Sequence, residues 1–422
     1  MRAALLIALA SAATLPLRPL QAQQAQLLAW GTVTADALDC KGDTLGGFGS
    51  AATYAGSPGH YYFAADGSSG SKHGDYRPRF HEAVVDVQGQ GLSFELVRSV
   101  WFVDPAGEFF SSQHPTGDDT EVPRRKDGRR CLSPEAIAVA PDGSLYLAEE
   151  LGPFLYQFDT GGRMLRCLKP PPYYLPRNQT GRVVFSAEEH VAAGRVPNRG
   201  FEGMALTLDG SRAVMILQSP LAQDGGRDGR FSRILVVDLT SGNPVAEYPY
   251  EMGPVGLLKL AYPREKVLKQ NDLGACELAA LRDGTFLVLE RDNRGADGTE
   301  SPSPAQHKRV YVVDLKGATN VLGHAGALNT IRDLVPVKKR SVLDLVSASS
   351  TKGAFSRAQL AEKWEGMALA PGRDQSHPLL LLASDNDFRT PTLHIGGNTI
   401  ANRHVERPQP TQLLLFELNL AR

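Results

Sequence analysis

Very little charge of either sign is left over in this 422-residue chain: 45 Lys and Arg stand against 46 Asp and Glu, a formal net charge of −1. Nucleic acid and anionic membrane surfaces therefore find no long-range field to respond to. Cysteine is also scarce. Cys40, Cys131, Cys167 and Cys276 are too few to staple a chain of this size, and none stands in a Cys-x-x-Cys or Cys/His spacing, which removes a structural zinc site. Long apolar runs are missing beyond the N-terminus, so no transmembrane segment is expected in the mature chain. Gly-x-Ser-x-Gly, His-Glu-x-x-His, a Walker loop and a dinucleotide fingerprint are all missing. The nucleophile elbow of α/β-hydrolases and its serine chemistry drop out with them.

What the chain does have is 42 Gly and 28 Pro, scattered between short apolar runs, and a hydrophobic share of 42%, ample for a large core. A turn-rich, strand-rich protein follows. At the N-terminus, Arg2 precedes the apolar stretch from Ala3 to Leu17, which reads as a secretory signal cut after Ala22 or Ala25; an uncleaved anchor is the alternative. The expectation is an exported protein, periplasmic or secreted, with residues 1–25 as signal and one domain from 27 to 422. An oxidising compartment permits disulfides. Cys131 and Cys167 bracket one repeat and are the expected pair.

Comparison of the chain with itself exposes that repeat. Pro134-Glu135 to Asp142-Gly143, Phe201-Glu202 to Asp209-Gly210, Cys276-Glu277 to Asp283-Gly284 and Trp364-Glu365 to Gly372 align, each opening on a glutamate. An apolar run follows each turn, and a third run closes each copy on an acid, at Asp159, Asp238, Asp314 and Glu417. Asp-Gly between short apolar runs marks a hairpin. A weaker first copy runs through Phe48-Gly49-Ser50, Tyr61 to Asp66 and Ala83 to Asp86, without the glutamate. Small sheets repeated in this way bury their faces by closing radially, so the fold class is all-β, a β-propeller. Glutamate spacings of 67, 75 and 88 residues favour six blades, with five as the alternative, and require long loops between strands. Leu27 to Leu38 is expected to pair with the C-terminal strands and close the ring.

Asn198-Arg199-Gly200-Phe201-Glu202-Gly203-Met204, Leu289-Glu290-Arg291-Asp292, Trp364-Glu365-Gly366-Met367-Ala368 and Ser384-Asp385-Asn386-Asp387-Phe388 together resemble the phytase-like family known as "esterase-like activity of phytase". The resemblance extends over roughly residues 45 to 418 and includes Glu149-Glu150-Leu-Gly-Pro and Gln218-Ser219-Pro220. It implies a propeller-like fold and hydrolysis of a small-molecule ester or phosphoester. The first copy departs from the family's pattern, with Phe48-Gly49-Ser50 and Ala65-Asp66 as stand-ins. The Lys72-His73-Gly74-Asp75-Tyr76-Arg77-Pro78 stretch is only superficially like a histidine acid phosphatase motif, with its arginine one place late, and reads as a loop.

Innermost propeller strands line the axis, so Glu135, Glu202, Glu277 and Glu365 are expected to form a ring there. Crowded carboxylates need a cation, basic partners or bound protons. Calcium is the expected cation, held by the four ring glutamates with Asp292 and Asp387, and it would polarise the ester and its attacking water. Glu290 and Asp385 join the ring glutamates as candidate catalytic groups. Arg199, Arg291, Lys363 and Arg389 are the candidates for binding an anionic substrate. A different reading stands beside this one: the glutamates accept backbone N–H groups of the next blade and fasten blades together, in a binding or envelope-scaffold propeller without catalysis.

Overall fold

The computed structural model describes residues 24–420 apart from 68–73, 75, 118–120, 187–189, 254, 256–263, 300–301, 352 and 404. The signal reading of residues 1–25 falls almost wholly outside the described residues, as does most of the Lys72–Asp75 stretch. The apolar runs of the repeat are strands, and Asp142-Gly143, Asp209-Gly210 and Asp283-Gly284 turn between the first two strands of their copies. Gly143, Gly210 and Gly284 sit at φ 83°, 69° and 66°, a left-handed conformation that costs a side-chain-bearing residue energy.

Strand β1 (Ala25–Val33) leads the chain. Four units follow it in sequence: β2 (Ala51–Tyr54) to β5 (Gly91–Trp101) with β3 (His60–Ala65) and β4 (Arg79–Gln88) between; β6 (Pro134–Val139), β7 (Leu145–Glu149), β8 (Leu155–Phe158) and β9 (Met164–Leu168); β10 (Phe201–Leu206), β11 (Arg212–Leu217), β12 (Phe231–Asp238) and β13 (Pro244–Glu251); and β14 (Leu273–Arg282), β15 (Thr285–Asp292), β16 (Lys308–Asp314) and β17 (Lys338–Asp344). A short helix α1 (Leu345–Thr351) leads to the last unit, β18 (Lys363–Ala370), β19 (Leu379–Asp385) and β22 (Thr411–Leu418), with the hairpin β20 (Thr392–Ile395) and β21 (Asn398–Ala401) inserted before β22.

The N-terminal strand completes this last unit. β1 runs antiparallel to β22 from Ala25↔Leu418 to Val33↔Thr411, as the sequence leads one to expect, and meets β5 only at Trp30↔Gly91. Among the described residues the strands therefore form five sets of four plus one hairpin. The first strands β2, β6, β10, β14 and β18 neighbour one another in a closed cycle, β18 returning to β2. No helix among the described residues is long and apolar enough to cross a membrane.

The middle strands read as unbroken apolar runs because both of their faces are buried. Alternation divides them between two clusters. Ala213, Met215 and Leu217 of β11 pack with β6 to β8, whereas Val214 and Ile216 pack with β15 and β16. Leu287 and Leu289 share a cluster with Leu380 and Leu382, while Leu381 and Ala383 turn to Phe48, Tyr61 and Phe63 of the first unit. Ala51, Phe80 and Phe102 meet Leu145, Leu147 and Phe158. Each neighbouring pair of units thus has its own core, and slipping one strand by a residue would exchange its two clusters.

The expected Cys131–Cys167 disulfide is not formed, and all four cysteines are free. Cys131 precedes the innermost strand of its unit, whereas Cys167 lies on the outermost strand, opposite Tyr156. Burial pushes their thiols up to about 12 and 11, which keeps them protonated.

Candidate functional site

Three of the four repeat glutamates occupy the same backbone irregularity. On β6, Pro134 pairs with Glu149 and Ala136 with Ala148, so Glu135 is an extra residue with no partner on β7. Glu202 is passed over in the same way between Phe201 and Gly203, and Glu365 between Trp364 and Gly366. Such a bulge re-aims one side chain out of the pleat. In the fourth unit the bulge falls between Ala275 and Glu277, so the residue in this position is Cys276.

That one-place shift takes Glu277 out of the expected ring. Its Oε1 accepts the N–H of Leu278 at 2.9 Å and that of Met204 on β10 at 3.2 Å, and the Ala52 N–H also points to it. Gly203 makes room: a Cβ there would lie 2.6 Å from the Glu277 carbonyl carbon. Glu277 is therefore a fastener between units, the role set against catalysis for all four glutamates, and it does not line the charged cavity described next.

Glu135, Glu202 and Glu365 do line one cavity, of about 180 Å³, together with Asp66, Glu150 and Glu362. Arg199, Arg227, Arg291 and Lys363 line it too. A second cavity, of about 350 Å³, takes residues from all five innermost strands and has no charged side chain in its lining. Of the two, the smaller is the one lined by charged side chains.

Within it the surroundings push the acids in opposite directions. Burial, then the nearby Glu150 and Glu365, pushes Glu202 well above the usual carboxylate range, although Arg291 and Arg199 oppose this. Glu135 moves the same way through burial, Glu202 and Asp66. Glu150 is pushed up to about 8 by burial and Asp66. Burial also works against Glu365, but Arg291, with Nη2 at 2.5 Å, and Lys363 outweigh it and hold Glu365 below its ordinary value. Ser133 Oγ ties the acids together, donating to Asp66 Oδ1 at 2.9 Å and lying 3.3 Å from Glu135 Oε1.

Other expected residues lie beside the cavity or away from it. Lys363 Nζ stands 3.2 Å from Asp387 and 3.6 Å from Asp385, whose carboxyl burial raises to about 8. Arg389 is turned to the Asp297 carbonyl and lies 3.8 Å from Asp387. Glu290 and Asp292 are elsewhere. Glu290 is fully buried against Tyr250, His307 and Lys339; despite burial, Lys339 and His307 hold it down to about 2. Asp292 pairs with Lys308 at 2.7 Å and accepts the N–H groups of Gln306 and His307. Strand alternation explains both: Arg291 points to the cavity, so its two neighbours on β15 point to the opposite face.

The same register identifies residues that the repeat alone did not single out. Glu149 pairs with the residue before the bulge, and its carboxylate accepts the N–H groups of Leu151, Gly152 and Phe154. Glu150, one place on, reaches the cavity. Gln218, Arg291 and Asp385 hold the corresponding place in their units, and Asp66 directly follows β3 in the first. Arg227 and Glu362 come from the connections before β12 and β18 and carry no repeat signal.

For calcium the fit is incomplete. Glu202 Oε2 and Gln218 Oε1 are buried without a hydrogen-bond partner, yet no three His, Cys, Asp or Glu among the described residues are placed around one metal position. Calcium ordinarily takes about six to eight oxygens.

The chain is 27% identical to an uncharacterized secreted protein of Arthroderma benhamiae, over 86% of this chain and 87% of that one. Among solved structures it is similar to an exo-β-1,3-galactanase from Phanerochaete chrysosporium, with 8% identity over 90% of this chain and 63% of that one and a TM-score of 0.41. It is also similar to an α-L-arabinofuranosidase from Podospora anserina, with 12% identity over 92% and 97% and a TM-score of 0.38. Less than two thirds of the galactanase is spanned, and at these scores neither likeness bears on blade number or chemistry. The phytase-like family, described as esterase-like activity of phytase, matches residues 43–388, and the chain belongs to it.

Proposed function

We propose that the chain is an exported five-bladed propeller that hydrolyses a phosphoester or carboxylic ester at the charged cavity. The observation that carries this is the opposed state of two neighbouring buried acids, Glu202 pushed up and Glu365 held down. Environments that drive two carboxyl groups apart supply an acid and a base at one pH. Glu365 accepts a proton from the attacking water, and Glu202 delivers one to the leaving oxygen. Arg291 and Arg199 face the charge that builds on the reacting centre. Export is supported by the Ala3–Leu17 run and by the secreted relative.

Turnover of p-nitrophenyl phosphate, p-nitrophenyl acetate and phytate, each with calcium and with chelator, tests the reading. Glu202→Gln is expected to lower turnover by about 100-fold or more with circular dichroism unchanged. Undiminished turnover in that variant would remove the cavity from catalysis. A folded wild-type protein inert on all three esters would favour the binding-scaffold alternative.

A further inference from the structure

Three guanidinium groups face the charged cavity, and they are not equally satisfied. Arg291 of β15 is paired with Glu365. Arg199 enters β10 behind Asn198, a non-glycine residue held at φ 55°, and makes no hydrogen bond or ion pair among the described residues. Arg227 sits on the one-turn Gly226–Asp228 segment between β11 and β12, exposed, and among the described residues it donates to the Pro197 carbonyl at 2.9 Å. Burial disfavours the charge on Arg199, and Arg227 and Arg291 add like-charge repulsion to it. An arginine in such company is stabilised by an anion placed between the three.

The acids in the lining do not cancel this. Glu365 pairs with Arg291, Lys363 meets Asp387 at 3.2 Å, burial pushes Glu135, Glu150 and Glu202 towards their protonated forms, and no carboxylate among the described residues forms an ion pair with Arg199 or Arg227. Size narrows the choice of anion. At about 180 Å³ the cavity lies below the ~300 Å³ at which pockets begin to enclose a whole drug-sized ligand. One small group enters, and the rest of its bearer stays outside. Guanidinium forks arriving from three separate segments match a group with three free oxygens better than a planar carboxylate, which offers two.

We propose that Arg199, Arg227 and Arg291 form a cradle for a single tetrahedral oxyanion, phosphate or sulfate, borne singly on the substrate, with Arg227 as the rim residue that closes it. This rests on the hydrolytic reading of the same cavity and narrows it: a monosubstituted phospho- or sulfoester is taken, and a ring crowded with such groups is not. Isothermal titration with inorganic phosphate and, separately, sodium sulfate, at constant ionic strength in sodium chloride, tests it. Wild type is expected to bind one equivalent of one or both anions, and the two titrations tell which. Arg199→Gln and Arg227→Gln are each expected to weaken that binding about tenfold or more, one charge-assisted contact being worth about 1.5–3 kcal/mol. Arg227 is exposed, so its variant folds.

Glu202→Gln separates the two readings. Anion binding kept in that variant while wild-type protein turns over no ester would sink the hydrolase and leave the cradle standing. Binding in wild type no stronger than in both arginine variants, or one phosphate-bearing group gripped no better than chloride, would overturn the cradle even if esters are hydrolysed.

Discussion

Glu150 offers the most direct test of how the charged cavity is held. Its side chain accepts no hydrogen bond among the described residues, and burial with Asp66 alongside lifts it from 4.5 to about 8. The folded protein therefore keeps a proton that the unfolded chain releases near 4.5. Over that interval the unfolded state binds fewer protons, so stability falls as pH rises. The contribution is fully present below about 4.5 and is lost as pH passes through about 8. At about 1.4 kcal/mol per unit, the rise is worth up to about 5 kcal/mol, an upper bound because neighbouring acids titrate with it. Glu150→Gln keeps the shape and removes the ionisation. Urea unfolding at pH 5 and pH 8 reads the effect. The variant should match wild type at pH 5 and exceed it by several kcal/mol at pH 8. A difference between the two proteins that stays constant across that range would refute the assignment of Glu150 as a buried, proton-holding acid.

Away from the cavity, Arg233 is fully buried between Asp224 at 2.7 Å and Glu247 at 3.0 Å and donates to the His324 and Gly326 carbonyls. Arg233→Met strands two buried carboxylates and should cost about 3–5 kcal/mol in urea unfolding; a loss under about 1 kcal/mol would mean that the clamp carries no stability. Glu277→Gln keeps a carbonyl oxygen for the N–H groups of Leu278 and Met204 and should be nearly silent in thermal unfolding, whereas Glu277→Ala leaves those donors bare at about 1–3 kcal/mol each. Equal melting temperatures for the two variants would show that Glu277 is not a fastener.

Much of the fold is legible in the order of residues because a strand buried on both faces must be apolar throughout and must stop at a turn. Leu379 to Ala383 and Val214 to Leu217 announce themselves, as do the Asp-Gly pairs beside them. Less visible are the fourth strands. Pro244–Glu251 and Lys338–Asp344 are half-exposed, mix charged with apolar residues, and lie inside stretches that read as loops. The glutamate spacings favour six blades, yet the described residues form five sets of four strands, and the spacings are lengthened by connections such as the one holding Arg227 and the one holding α1.

The site was legible only in part, because its geometry turns on single-residue register. Asp283-Gly284 stands seven places after Cys276, as Asp142-Gly143 does after Glu135, so the turn aligns the cysteine, not Glu277, with the ring. Neighbours on a strand then divide the labour: Glu149 and Glu290 tie down loops, while Glu150 and Arg291, next to them, face the cavity. That division gives the cavity its polarity. The proton-holding Glu135 and Glu150 and their partner Asp66 come from the first two units, and Arg291 and Lys363 come from the fourth and fifth. Lys363 and Arg199 also act on Glu150, so acids and cations share one small space. Under the hydrolytic reading proposed above both are needed there, because the leaving oxygen must gain a proton while the group it leaves must have its negative charge held. Replacing the fourth glutamate by a neutral thiol at Cys276 keeps an acid away from Arg199 and Arg291, on the side where the proposed anion would sit.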